Sequence, residues 1–131
     1  MCRNPMKSYI ELKNLEVYQA GRGLSKLGWE IYTNLDWQTR KIIGDQFITA
    51  TDSFGANVTE GYSRFHYLEK IKFYYIARAS LNEALEYWLE LLLERKMLSL
   101  DSYETYKDKA IKARIKLSNF INSTRNAKDQ Q

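Results

Sequence analysis

The stretch HYLEKIKFYYIARASLNEALEYWLELLLERKM, residues 66–97, contains neither glycine nor proline. It is rich in Leu, Ala and Glu, residues that fit a helix at little cost. Strands seldom exceed about ten residues, and nothing here punctuates a turn. The stretch therefore predicts one long helix, placed at about 64–96, and a chain built around it must supply other helices to cover it.

The rest of the sequence supplies them. Tyr103, Tyr106, Ala110, Ala113, Leu117, Phe120 and Thr124 recur in steps of three and four and predict a helix over about 102–124. Asp101 with Glu104 three residues on has the form of an N-terminal capping box. Leu15, Tyr18, Leu24, Leu27, Ile31 and Leu35 predict a helix over about 12–34, although Gly21, Gly23 and Gly28 each weaken it. A break at NLDWQT, capped by Asp36 or Asn34, leads into a fourth helix over about 37–61. No run alternates with the period of a strand, and Pro5 is the single proline, so no linker divides the chain. The expectation is one all-α domain over residues 1–131 with loose termini. Short connections make it an antiparallel up-down-up-down four-helix bundle.

A chain of 131 residues, 44% apolar, is large enough to bury a core without a staple. Cys2 is the only cysteine, so neither an intrachain disulfide nor a cysteine zinc site is expected. The start, MCRNPMKSYIELKN, lacks the apolar core of a secretory signal, and the greasiest run, YWLELLLE, is broken by glutamates. A cytoplasmic protein with no membrane partner is expected.

Catalytic chemistry finds little to use. A di-iron site needs Glu-x-x-His pairs on two helices, whereas His66 is the only histidine and residue 63 is Ser. Glu83, Glu86, Glu90 and Glu94 read as a solvated face beside Arg95 and Lys96. No serine or cysteine has a nucleophile's setting, and AGRGLSKLG lacks the order of a phosphate loop. The chain is expected to be no enzyme, with no metal and no cofactor.

Two groups of residues remain. Gln46, Ser53, Asn57 and Glu60, followed by Gly61, form a small, polar edge on the 37–61 helix, with Ser80, Asn82 and Glu83 as partners on the next one. Enclosed polar groups must find hydrogen bonds, so this edge reads as a register-fixing seam, and Gly61 reads as a left-handed helix cap. The second group is basic, within a formal net charge of +4. Lys109, Lys112 and Lys116 flank one side of the last apolar stripe, Lys107 and Arg114 the other, with Arg125 and Lys128 on the tail. Such residues either cover apolar edges with their stems or contact phosphates. Ten Tyr and three Trp exceed what one slim bundle encloses; base stacking is one use for them, but with no sheet to display them subunit contacts are favoured.

Gln46, Ala50, Ser53, Asn57, Glu60, Gly61 and Arg64, with ARASLNEALEYWL at 77–89, resemble the pattern of the proteins encoded in intervening sequences of bacterial 23S rRNA genes. That family is often labelled S23 ribosomal protein and is related to accessory proteins of diversity-generating retroelements. The resemblance implies a bundle that assembles into a homopentamer with a basic surface for nucleic acid, and it adds Arg64 to the candidate phosphate contacts. The expected role is a non-enzymatic homo-oligomeric scaffold binding RNA or DNA. The alternative is a module that docks a protein partner such as a reverse transcriptase.

Overall fold

Four long helices carry the fold in a computed structural model that describes residues 9–129. Cys2 and the outermost terminal residues, expected to be loose, lie outside the described residues. A 3-10 turn, Leu12–Asn14, precedes α1, Glu16–Thr33. Helix α2 spans 37–63 and is continuous through three segments: Trp37–Thr39, a five-residue π turn Arg40–Gly44, and Asp45–Ser63. Helix α3 spans 67–94 in the same manner, as Tyr67–Glu83, a π turn Ala84–Trp88, and Leu89–Glu94. Helix α4 is Leu100–Asp129. The described residues are all-α, with no strand among them.

The helix ends show where local chemistry departs from expectation. α1 begins later than expected because Asn14 and Leu15 donate back to Glu11 and Leu12 in the 3-10 turn. Asp36 caps α2, its carboxylate accepting from the Thr39 amide at 2.9 Å. At the far end Gly61 is not the expected left-handed cap: no described glycine has positive φ, and α2 runs on to Ser63 before Arg64 turns extended. The left-handed residue is Lys96, φ 60°. The Met97 amide bonds Leu92 O and the Lys96 amide bonds Leu93 O, a Schellman ending for α3. α4 starts at Leu100, with Ser99 Oγ accepting from the Ser102 amide at 3.1 Å, so Ser99 takes the place expected of Asp101.

Cross-helix pairs define how the helices run. A Cβ on Gly21 would meet Gly55 Cα at 3.2 Å, one on Gly28 would meet Thr51 Cγ2 at 3.0 Å, and Tyr32 donates to Asp45. Partner numbers on α2 fall as those on α1 rise. Between α2 and α3, Ser53 meets Ser80 and Gly61 meets Tyr74. Between α3 and α4, Arg114 reaches Asn82 and Tyr103 reaches Glu90. These orders are compatible with the expected antiparallel bundle. Its core holds Leu24, Phe47, Phe54, Tyr74, Leu81, Leu89, Tyr106 and Leu117, all essentially sealed from solvent. One polar contact crosses it, between Thr51 Oγ1 and the Tyr106 hydroxyl at 2.7 Å.

Candidate nucleic-acid interface

The polar edge of α2 closes on itself. Ser53 Oγ lies 2.9 Å from Ser80 Oγ, and Asn57 Nδ2 donates to both the Ser53 carbonyl (2.8 Å) and its hydroxyl (2.9 Å). The buried stripe of α2 runs Ile43, Phe47, Ala50, Thr51, Phe54, Val58 and Gly61, which leaves Gln46 exposed, outside the seam. Glu83 is exposed too, accepting from Trp88 Nε1 at 2.6 Å, and Asn82 is taken by Arg114. Glu60 faces out and pairs with Arg64 at 2.7 Å. Gly61 is buried because Tyr74 leaves no room, a Cβ there falling 2.7 Å from Cε1 of that ring. Ser53 with Ser80, and Gly61 with Tyr74, hold α2 against α3, and Asn57 spends its amide on Ser53. No three His, Cys, Asp or Glu residues among those described gather as a metal site would require.

The seven basic candidates fall into four places. On the edge of α4 facing α1, Lys116 pairs with Glu16 (2.9 Å) and Lys112 with Asp108 (3.0 Å), while Lys109 is exposed. The hydrogen bond from Lys116 holds the Glu16 carboxyl below its ordinary range. On the edge facing α3, Arg114 bridges Asn82 (2.8 Å) and Glu86 (3.0 Å), and Lys107 donates to the Tyr103 hydroxyl, itself bonded to Glu90. That bond raises Lys107 above its ordinary value, and the bond to Glu90 raises Tyr103. Arg64 sits at the end of α2, over Phe73 at 4.8 Å, with Nε buried and unpartnered. Arg125, the last of the seven, stands apart on the tail of α4. Four of the seven thus face a carboxylate directly, which leaves less of their charge for phosphates.

Arg125 belongs to a corner that the sequence reading saw only in part. Its guanidinium lies 5.9 Å from the Tyr75 ring centroid and donates to the Tyr75 hydroxyl. Arg78, one turn along α3, lies 4.9 Å from the same centroid. Lys128 sits 4.9 Å from the Tyr67 ring and Lys72 5.7 Å from Phe73. Lys70 donates to the Tyr62 carbonyl, and burial lowers its pKa. None of Lys70, Lys72, Arg78, Arg125 and Lys128 forms an ion pair with a carboxylate of residues 9–128. Phe65, in the turn between α2 and α3, and Leu68, in the first turn of α3, are exposed, at 88% and 77%. Arg78 escaped the sequence reading because the cue was a Tyr-x-x-Arg spacing on α3, whereas the second cation arrives from 47 residues downstream.

The same bias runs through the length of α4. Residues 109–128 carry six Lys and Arg and no acid, while 100–108 carry three acids and one Lys. Acids near a helix N-terminus and bases near its C-terminus complement the helix dipole, so part of this pattern stabilises α4 itself. A groove of about 650 Å³ between the start of α1 and α4 is lined by Ile10, Val17, Ile115 and Phe120 with Lys112 and Lys116 on its rim. No described helix is long and apolar enough to cross a membrane.

Comparisons with known proteins bear on this arrangement as a whole. Residues 13–119 match the family model described as 23S rRNA-intervening sequence protein. No curated protein matches the chain. Among solved structures, a protein of unknown function from the S23 ribosomal protein family of Bacteroides thetaiotaomicron VPI-5482 superposes with a TM-score of 0.75. The match covers 80% of this chain and 97% of that one at 24% identity, a likeness of fold.

Proposed function

The chain belongs to the 23S rRNA-intervening sequence protein family, and on that footing we propose that it is a non-enzymatic, homo-oligomeric scaffold that binds nucleic acid, RNA foremost, through phosphate contacts. Its form in this reading is the up-down-up-down antiparallel four-helix bundle. One observation carries the proposal: where the tail of α4 lies along the first half of α3, Arg78, Arg125 and Lys128 gather on Tyr75 and Tyr67 and pair with no carboxylate of residues 9–128. Lys and Arg left unneutralised on one surface are the electrostatic footprint of a polyanion partner. Binding of this kind is salt-dependent and reads little sequence. Electrophoretic shift of a labelled RNA at about 50 and 200 mM salt tests it, because phosphate contacts weaken steeply over that range. Retardation that fades with salt is expected; no retardation at the lower salt would overturn the proposal.

A second reading has its own support. Trp37, Ile42, Tyr87 and Leu100 are large apolar side chains at 56–67% exposure, on or beside the two π turns and at the start of α4. Surfaces of this composition favour protein contact, whether with further copies, a pentamer included, or with a partner such as a reverse transcriptase. Recovery of a protein partner after nuclease treatment would favour that role over direct binding.

A further inference from the structure

The corner formed by Tyr75, Arg78 and Arg125 has the chemistry of a phosphodiester clamp, and Phe65, two residues before the Tyr67 that carries Lys128, has that of a base platform. We propose that this surface takes single-stranded nucleic acid, with backbone phosphates on Arg78, Arg125 and Lys128 and an unstacked base on Phe65. The inference rests on the nucleic-acid reading above and names its site and strand type.

Tyr75 is what makes the two arginines one site. Both guanidiniums lie against the same half-buried ring, at 4.9 and 5.9 Å from its centroid. A guanidinium carries five N–H donors in a planar fork that matches phosphate oxygens, more than one aromatic partner can occupy. Arg125 spends one donor on the Tyr75 hydroxyl, and the remainder are uncommitted within the described structure. Two like charges so held repel each other, and no carboxylate of residues 9–128 pairs with either. An arriving anion would relieve both. The same device recurs one step away, where Lys128 sits over Tyr67. From Tyr67 to Arg78, α3 rises about 17 Å, room for a few nucleotides along one helix face.

Strand type follows from Phe65. It is the most exposed large apolar side chain among those described, at 88%, and packs edge-on to His66 at 5.1 Å. In a duplex the bases are stacked on one another and meet no protein ring. A single strand offers base faces, and each stack on an aromatic side chain stabilises the complex independently of sequence. The exposed ring and the clamp therefore suit the same ligand.

Fluorescence anisotropy with labelled twelve-residue oligo(U) and oligo(dT), and with a twelve-base-pair RNA duplex, distinguishes the outcomes. Both single strands are expected to bind more tightly than the duplex. The R78Q/R125Q double variant should weaken oligo(U) binding at least tenfold and flatten the slope of log affinity against log salt by about 1.4, two phosphates at about 0.7 each. F65A should weaken it by about five- to a hundredfold, the range of one lost base stack, and leave duplex binding unchanged. K109Q/K112Q, on another face of α4, should stay within about twofold. R78K/R125K keeps the charge without the fork and should fall between wild type and the glutamine variant. If wild type binds but neither the clamp variants nor F65A changes affinity, or if the duplex is preferred, this site assignment fails while nucleic-acid binding stands. If wild type binds none of the three probes, the broader reading fails with it.

Discussion

Lys96 occupies a backbone position that suits glycine. Its φ of 60° completes the Schellman ending of α3, a conformation in which a side chain strains against its own carbonyl. Lys96→Gly is expected to raise stability by about 1 kcal/mol, read as a higher midpoint in urea. Two true glycines divide the other way. Gly23 is exposed with nothing within 4 Å of an added Cβ, so Gly23→Ala should stabilise α1 by about 0.5–1 kcal/mol. Gly61→Ala would drive a methyl to 2.7 Å from the buried Tyr74 ring and 3.0 Å from Phe73 Cβ, and overpacking there should outweigh the helix gain by about 1–2 kcal/mol. Sequence could not separate these cases, because a glycine that ends a helix and one that admits a neighbouring ring look alike until the neighbour is known. Asp36 was legible, since a cap acts within its own turn. Its bonds to Thr39 depress its carboxyl below the ordinary 3.8, so its stabilising effect is present above that pH and is lost as pH falls through the depressed value. Asp36→Ala should therefore melt below wild type at neutral pH, with the gap narrowing as pH drops below about 4.

Between elements, the buried contact from α2 to α4 is asymmetric. The Tyr106 hydroxyl is sealed with Thr51 as its partner, and burial raises its pKa. Thr51→Val strands that hydroxyl and should cost about 1–3 kcal/mol. Tyr106→Phe strands Thr51 instead, yet a helical threonine can turn to the carbonyl four residues back, so about 1 kcal/mol or less is expected. The double variant should lose less than the two single variants together, which a denaturation cycle measures directly. Helix existence and approximate span were legible because stripes at threes and fours survive without knowledge of partners. The π turns were not, since 40–44 and 84–88, Gly44 aside, are residues common in any helix interior and carry no local mark of a wider turn. Charge partners were illegible for the same reason: Lys116 meets Glu16 across 100 residues of sequence, and Arg78 joins Arg125 across the gap between two helices. Flanking an apolar stripe told which lysines lie at its edges and left out which acids face them.

For the whole molecule, the exposed apolar set around the π turns predicts self-association. Light scattering on the eluting protein should report a mass several times 15.5 kDa at moderate salt, five times in the pentameric case, and Trp37→Glu or Tyr87→Glu should lower it toward the single chain. A mass of 15.5 kDa for wild type at tens of micromolar would remove the oligomer from the account. The distribution of charge along α4, acidic in its first turns and purely basic from 109 to 128, acts at this scale too. Separated over a rod roughly 45 Å long, unlike charges make a permanent moment that an external field can rotate. A polyanion drawing near would exert a torque before any contact forms, swinging the chain until its basic pole leads, so that orientation is settled on approach and the surface that arrives first is the one bearing Arg125 and Lys128.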